Sequence, residues 1–142
     1  YLLIEDVDRQ IIKLSKKLPE KMMLMINSAI ERTEIGGNVF NQLSAKDRSC
    51  LLVDGKLNNN ENQSTVIHLL VTELAKVTDQ QSATQLKQII DLFGSRKKSL
   101  KILRYHIKTD ALLKLWLFIH VPISFALLAA LLAHILSVFI YW

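Results

Sequence analysis

Cysteine is nearly missing from this chain. The single residue, Cys50, excludes an internal disulfide framework, a Cys-rich zinc site and iron–sulfur ligation by this chain alone. Helix breakers are also sparse, with two prolines and four glycines in 142 residues. The most informative absence is of charge, because residues 115–142 contain no Asp, Glu, Lys or Arg. Immediately before them, residues 96–114 hold seven basic side chains against one acid, Asp110, a net +6. Residues 1–95 carry 11 basic and 12 acidic groups. The pI of 9.4 therefore comes from one short segment beside an uncharged one. That distribution argues against a nucleic-acid partner, which needs basic charge spread over a folded surface, and for a membrane boundary. Half of the residues are hydrophobic and mean hydropathy is +0.22, high for a chain with 22% charged residues. A length of 142 residues suits one modest domain, or a small domain plus one membrane span.

The chain opens at Tyr1 and not at Met, as a fragment or a processed form does. No N-terminal signal peptide is expected, since Glu5, Asp6 and Asp8 stand where an uncharged apolar core should be.

Helical periodicity organises the first two thirds. Ile4, Val7, Ile11, Leu14 and Leu18 are spaced 3, 4, 3 and 4 apart, the stripe of an amphipathic helix or short coiled coil. Pro19 suits the first turn of a second helix, from about Glu20 to Thr33, with Met22, Met25, Ile26, Ala29 and Ile30 inward and Gly36-Gly37 as its stop. Ser44 followed by Asp47 predicts the cap of a short helix ending near Gly55. Cys50–Val53 could form a strand, but the all-α reading is favoured. Asn58–Ser64 has no apolar residue and predicts an exposed loop. Two further helices are expected, about Thr65–Val77 and about Gln80–Phe93, the second stopped by Gly94. A basic amphipathic stretch, Arg96–Ile107, then leads to Thr109-Asp110 as the cap of the last helix. The expected fold is all-α: a helical interaction region over residues 1–95, a basic juxtamembrane segment over 96–110 and a transmembrane helix over 111–142. No phosphate loop, metal-ligand spacing or activated nucleophile is visible in residues 1–95.

The uncharged stretch Leu115–Trp142 would be roughly 42 Å long as a helix, enough to cross a bilayer core of about 30 Å with some tilt. Trp116 at one end and Tyr141 and Trp142 at the other occupy the places of interfacial aromatic belts. Arg96, Lys97, Lys98, Lys101, Arg104 and Lys108 are expected at the membrane surface beside anionic headgroups. By the positive-inside tendency, the N-terminal region faces the cytoplasm or the mitochondrial matrix, and the membrane is a bacterial or mitochondrial inner membrane.

His120 and His134 lie inside this span, where ionisable groups turn toward protein, water or a ligand. Their separation of 14 residues falls about 40° short of four full turns, which puts both rings on nearly the same face, about 21 Å apart along the axis. That arrangement gives one axial imidazole to each of two haems stacked across a membrane. The alternative is two unrelated histidines, one interfacial and one hydrogen-bonded between helices. His68 is expected to be a satisfied surface or semi-buried histidine and His106 a phospholipid-facing or solvated group, and neither is expected to be a ligand. Ala129, Ala133 and Ser137 form a small-residue ladder on the opposite side that permits close approach of another helix. Pro122 frees the carbonyl of Phe118 and is expected to bend the helix near His120.

The segment Trp116-Leu-Phe-Ile-His120, thirteen intervening residues, His134, then Ile-Leu-Ser-Val-Phe-Ile-Tyr141-Trp142 resembles a haem-bearing helix of the dihaem b-type cytochromes, as in the respiratory cytochrome b family. The resemblance implies that His120 and His134 are axial ligands to the iron of a haem b near each membrane face. One helix gives one ligand per haem, so a second copy of the chain or another transmembrane subunit must complete each site. A quinone or redox partner would then exchange electrons with it, and the chain would be an electron-transfer subunit of an oxidoreductase complex more than a stand-alone enzyme. The competing expectation is a cofactor-free, C-terminally anchored adaptor or accessory subunit.

Overall fold

The computed structural model describes residues 2–44 and 46–141; Tyr1 and Trp142, the outermost aromatic of the expected belt, lie outside the described residues. The chain is predominantly helical, with one small hairpin. α1 spans Leu2–Ser15 and α2 spans Glu20–Glu31. α3, Val39–Ser44, follows a loop in which Gly36 and Gly37 take φ of 87° and 89°, a region that favours glycine. Strands β1 (Cys50–Val53) and β2 (Lys56–Asn59) pair antiparallel, with Leu51 opposite Asn58 and Val53 opposite Lys56. A 3-10 turn at Glu61–Gln63 leads into α4, Ser64–Leu74, and α5 then runs from Gln80 to Tyr141.

The expected stripes hold the core together. Ile11 of α1, Met25, Ile26 and Ala29 of α2, Val66 and Leu70 of α4 and Leu86, Ile89 and Phe93 of α5 are buried in one cluster, with Leu51 of the hairpin added. Burying apolar side chains of this size is worth about 1.5–3 kcal/mol each before the entropy of ordering them is counted. Each of α1, α2 and α4 contributes one face only, which is why the 3.6-residue period was informative for them.

Four local expectations are corrected. The residues expected to be a short helix ending at Gly55 form the β-hairpin instead. Asp54 and Gly55 both have positive φ (50° and 76°), the geometry of a two-residue turn that matches strand twist. Asn58–Ser64 is not an open loop: it supplies the end of β2, and Asn60 and Gln63 are fully buried. Asn60 accepts the Val66 N–H (3.1 Å), and the Asp47 carboxylate accepts the Asn62 N–H (2.6 Å). Gly94 does not stop a helix, because the buried positions Leu86, Ile89, Phe93, Arg96 and Leu100 continue past it on one face. That packing outweighs the cost of about 1 kcal/mol for a helical glycine. Thr109 and Asp110 do not begin one either. The Thr109 hydroxyl donates back to the Tyr105 carbonyl (3.0 Å), and Asp110 pairs with Lys114 one turn on (2.7 Å).

α5 is therefore a single helix of 62 residues, about 93 Å long. Its start is capped by Asp79, whose carboxylate accepts both the backbone N–H and the hydroxyl of Ser82 (2.8 Å each). These bonds hold the Asp79 carboxyl below its ordinary range. The helix carries the core on its first third and α3 beside its middle. Beyond Ala111 its described residues are all exposed, Phe125 and Phe139 among them. An 18-residue window of this part reaches a mean hydropathy of 2.5 with none of it buried. By length and composition it can span a membrane.

Candidate functional site

The apolar stripe of α5 contains two arginines, and the structure turns both inward. Arg96, 1% exposed, follows Phe93 by three residues and precedes Leu100 by four, so its side chain enters the core layer. Its Nε and Nη2 form a two-pronged pair with Asp8 of α1, and Nη1 donates to the Thr33 hydroxyl at 2.9 Å. Arg104 lies two turns further along. Its Nη2 pairs with Asp47 (2.8 Å) and donates to the Glu34 carbonyl (3.0 Å). Buried cations persist only with a partner and satisfied donors, and both have them.

Asp47 is the centre of the second cluster. Besides Arg104, it accepts the Ser49 N–H (2.9 Å), the Ser49 hydroxyl and the Asn62 N–H. Asn62 and Gln63 have φ of 52° and 58°, an uncommon pair of left-handed non-glycine residues, and the carboxylate fixes them. Asp47 thus ties α5, at Arg104, to the segment before β1 and the turn before α4.

These contacts revise the expected membrane-surface set. Arg96 and Arg104 turn toward the domain, because each has a carboxylate partner there, Asp8 half-buried and Asp47 buried. Lys97, Lys98, Lys101 and Lys108 remain exposed. Three of them, Lys97, Lys101 and Lys108, line an open concavity of about 430 Å3 with Arg104, Tyr105 and Asn62.

His120 and His134 lie on the bare part of α5, both exposed. The indole of Trp116, one turn before, stacks on the His120 ring (centroids 4.3 Å apart, planes 12° apart). Stacking covers a ring face and leaves the nitrogens at the ring edge. The Ser124 hydroxyl donates to the His120 carbonyl at 2.9 Å, and the helix continues through Pro122. Ala129 and Ala133 lie on the other side, whereas Ser137, three residues after His134, is only about 60° around the helix from it, which corrects the expected ladder at that position. Among the described residues no three His, Cys, Asp or Glu groups converge as a metal site. Any ion held by His120 or His134 therefore needs a further ligand from another helix. His68 and His106 are both exposed, the latter edge-on to Tyr105.

Asp8, Thr33, Asp47, Ser49, Asn60 and Gln63 did not stand out in the sequence. Asp8 was detectable: it falls four residues after Ile4 and three before Ile11, within the buried stripe, where a carboxylate demands a cation. No protein-family model matches the chain, and neither a curated protein nor a solved structure matches it.

Proposed function

We propose that this chain is a membrane-anchored b-type cytochrome subunit in which His120 and His134 each offer one imidazole to a haem completed by another helix. The observation that carries this reading is the uninterrupted helix across both positions. It keeps the imidazoles about 40° apart in rotation and about 21 Å apart along the axis. The residues fit the group: both rings are exposed on the helix surface, and the Trp116 stack leaves the His120 nitrogens open. A bound haem would supply the one-electron chemistry. The protein's part is to hold the ligands, to surround them with Leu127, Leu131 and Val138 as a low-dielectric wall, and to exclude water. Ala129 and Ala133 leave the opposite side free for close helix contact.

In this reading α5 spans a bacterial or mitochondrial inner membrane, and the five exposed lysines from Lys97 to Lys114 keep the domain on the cytoplasmic or matrix side. The second ligands come from a parallel copy across a two-fold axis or from a partner subunit, with a quinone or redox protein exchanging electrons. A reduced-minus-oxidised visible spectrum of the chain purified with its native partners tests the proposal. Sharp b-type bands are expected, with His120→Ala and His134→Ala each removing part of the haem and leaving membrane insertion intact. A flat spectrum would overturn it. The second reading, a cofactor-free anchored accessory subunit, draws on the two buried arginines, which make domain and helix one rigid assembly unit; it expects both alanine variants to be silent.

A further inference from the structure

The exposed cations above the span are not a diffuse collar. With Lys97 as origin and 100° per residue, Lys101 lies at about 40°, Tyr105 at about 80°, Lys108 at about 20° and Arg104 at about 340°. All five share an arc of about 100° in which α5 has no carboxylate; Asp110, at about 220°, sits across the helix and is paired with Lys114. Opposite the arc stands the left-handed turn at Asn62, pinned through its N–H to Asp47. The wall and the helix enclose the concavity of about 430 Å3. Asp47 compensates Arg104 beneath it, whereas Lys97, Lys101 and Lys108 have no ion pair among the described residues. Three uncompensated ammonium groups thus face one cleft whose far side is formed by a fixed backbone turn.

We propose that this cleft binds a small soluble anion carrying two or more phosphate groups. Depth decides against the bilayer's own phosphates, and on this point the inference rests on the membrane-spanning reading. A headgroup layer is about 5–7 Å thick on each side of the hydrocarbon core. Lys108 is eight residues above Trp116, about 12 Å, but Lys101 and Lys97 stand about 22 and 28 Å above it. Even a tilt of about 40° leaves them about 17 and 22 Å high. A lipid headgroup reaches the lower rim only, while a polyphosphate in solution can engage all three cations. Tyr105, 68% exposed at the rim, leaves the mouth open to solvent on that side.

The test is calorimetric binding of inorganic tripolyphosphate and of ATP, without magnesium, to the full chain in phosphatidylcholine nanodiscs at low ionic strength. One-to-one saturable binding is expected. Each of Lys97→Gln, Lys101→Gln and Lys108→Gln should weaken it about fivefold, and the three together by about a hundredfold. Lys98→Gln and Lys114→Gln, off the arc, should change it less than twofold. Equal loss in those controls would reduce the site to a general positive field and overturn the proposal, as would an unchanged triple variant or no binding at all. Repeating the titration with and without phosphatidylserine in the discs at about 0.15 M salt, where screening confines the surface potential to about 8 Å, separates the sources: affinity lost with phosphatidylserine there means that headgroups occupy the cleft, which also overturns it. The single variants keep the test decisive if the triple variant loses its protease resistance. Carbonate extraction of membranes and the visible spectrum report separately on the span and on haem, so their failure is distinguishable from failure of this site.

Discussion

Asp47 offers the sharpest test of how the domain is fastened to the long helix. Replacing it with Ala removes the partner of buried Arg104 and orphans the N–H groups of Ser49 and Asn62. Breaking a buried pair from one side costs about 3–5 kcal/mol. Arg104→Met should cost less, about 1.5–3 kcal/mol, because the carboxylate left behind still accepts three other donors. The combination of both changes should be no worse than Asp47→Ala alone, since it also removes the unpaired guanidinium. Pulse proteolysis of the full chain in mild detergent over a urea series reads these differences. With a slope of about 1.5 kcal/mol per molar urea, Asp47→Ala should lower the midpoint by about 2–3 M. Amide exchange adds a local readout, as the Asn62 N–H should lose protection in Asp47→Ala and keep it in Arg104→Met. A cost for Asp47→Ala below that of Arg104→Met, or a double variant equal to the sum of the two, would refute the account of Asp47 as the shared acceptor.

Two further outcomes follow from the same geometry. Arg96→Lys should destabilise the domain nearly as much as Arg96→Ala, about 3 kcal/mol on the same urea series, because a single ammonium cannot reproduce the two-pronged contact with Asp8 and also reach Thr33; full rescue by Lys would contradict it. The Asp79 carboxyl is held below its ordinary value by the Ser82 backbone and hydroxyl bonds. Its contribution to the α5 start is therefore complete above the ordinary carboxylate pKa and is lost as pH falls through the lower folded value. Amide exchange at Ser82 should show a low-pH loss of protection that Ile89 in the core does not share, and that is absent in Asp79→Ala.

The sequence revealed what depends on repetition. The stripes of α1, α2 and α4 and the charge-free end of α5 were legible because apolar side chains recur at a period that a helix alone satisfies. The hairpin was not, since β2 is Lys-Leu-Asn-Asn and shows no apolar alternation; the Asp54-Gly55 pair was the available signal, as a turn that requires two positive φ values. Gly94 and Thr109-Asp110 carried local stop and start chemistry that packing and i,i+4 pairing override. Arg96 and Arg104 were assigned to the membrane surface because a basic residue beside a span ordinarily lies there. Only their phase, in register with Phe93 and Leu100, pointed inward. His120 and His134 were legible as a pair by spacing, and the geometry of the helix adds the Trp116 stack.

The absence of any joint in α5 fixes an azimuth. From Lys97 to His120 the helix turns through 23 residues, about 2300°, which leaves the imidazole about 140° around the axis from the first lysine of the cleft. With Arg96 and Arg104 locking the domain to the same rod, no swivel separates what the domain faces from what the exposed apolar end of the helix faces. A partner that grips the domain consequently also sets the direction in which His120 and His134 point, and one residue inserted after Ala111 would swing both by about 100° while leaving the contacts of the domain in place.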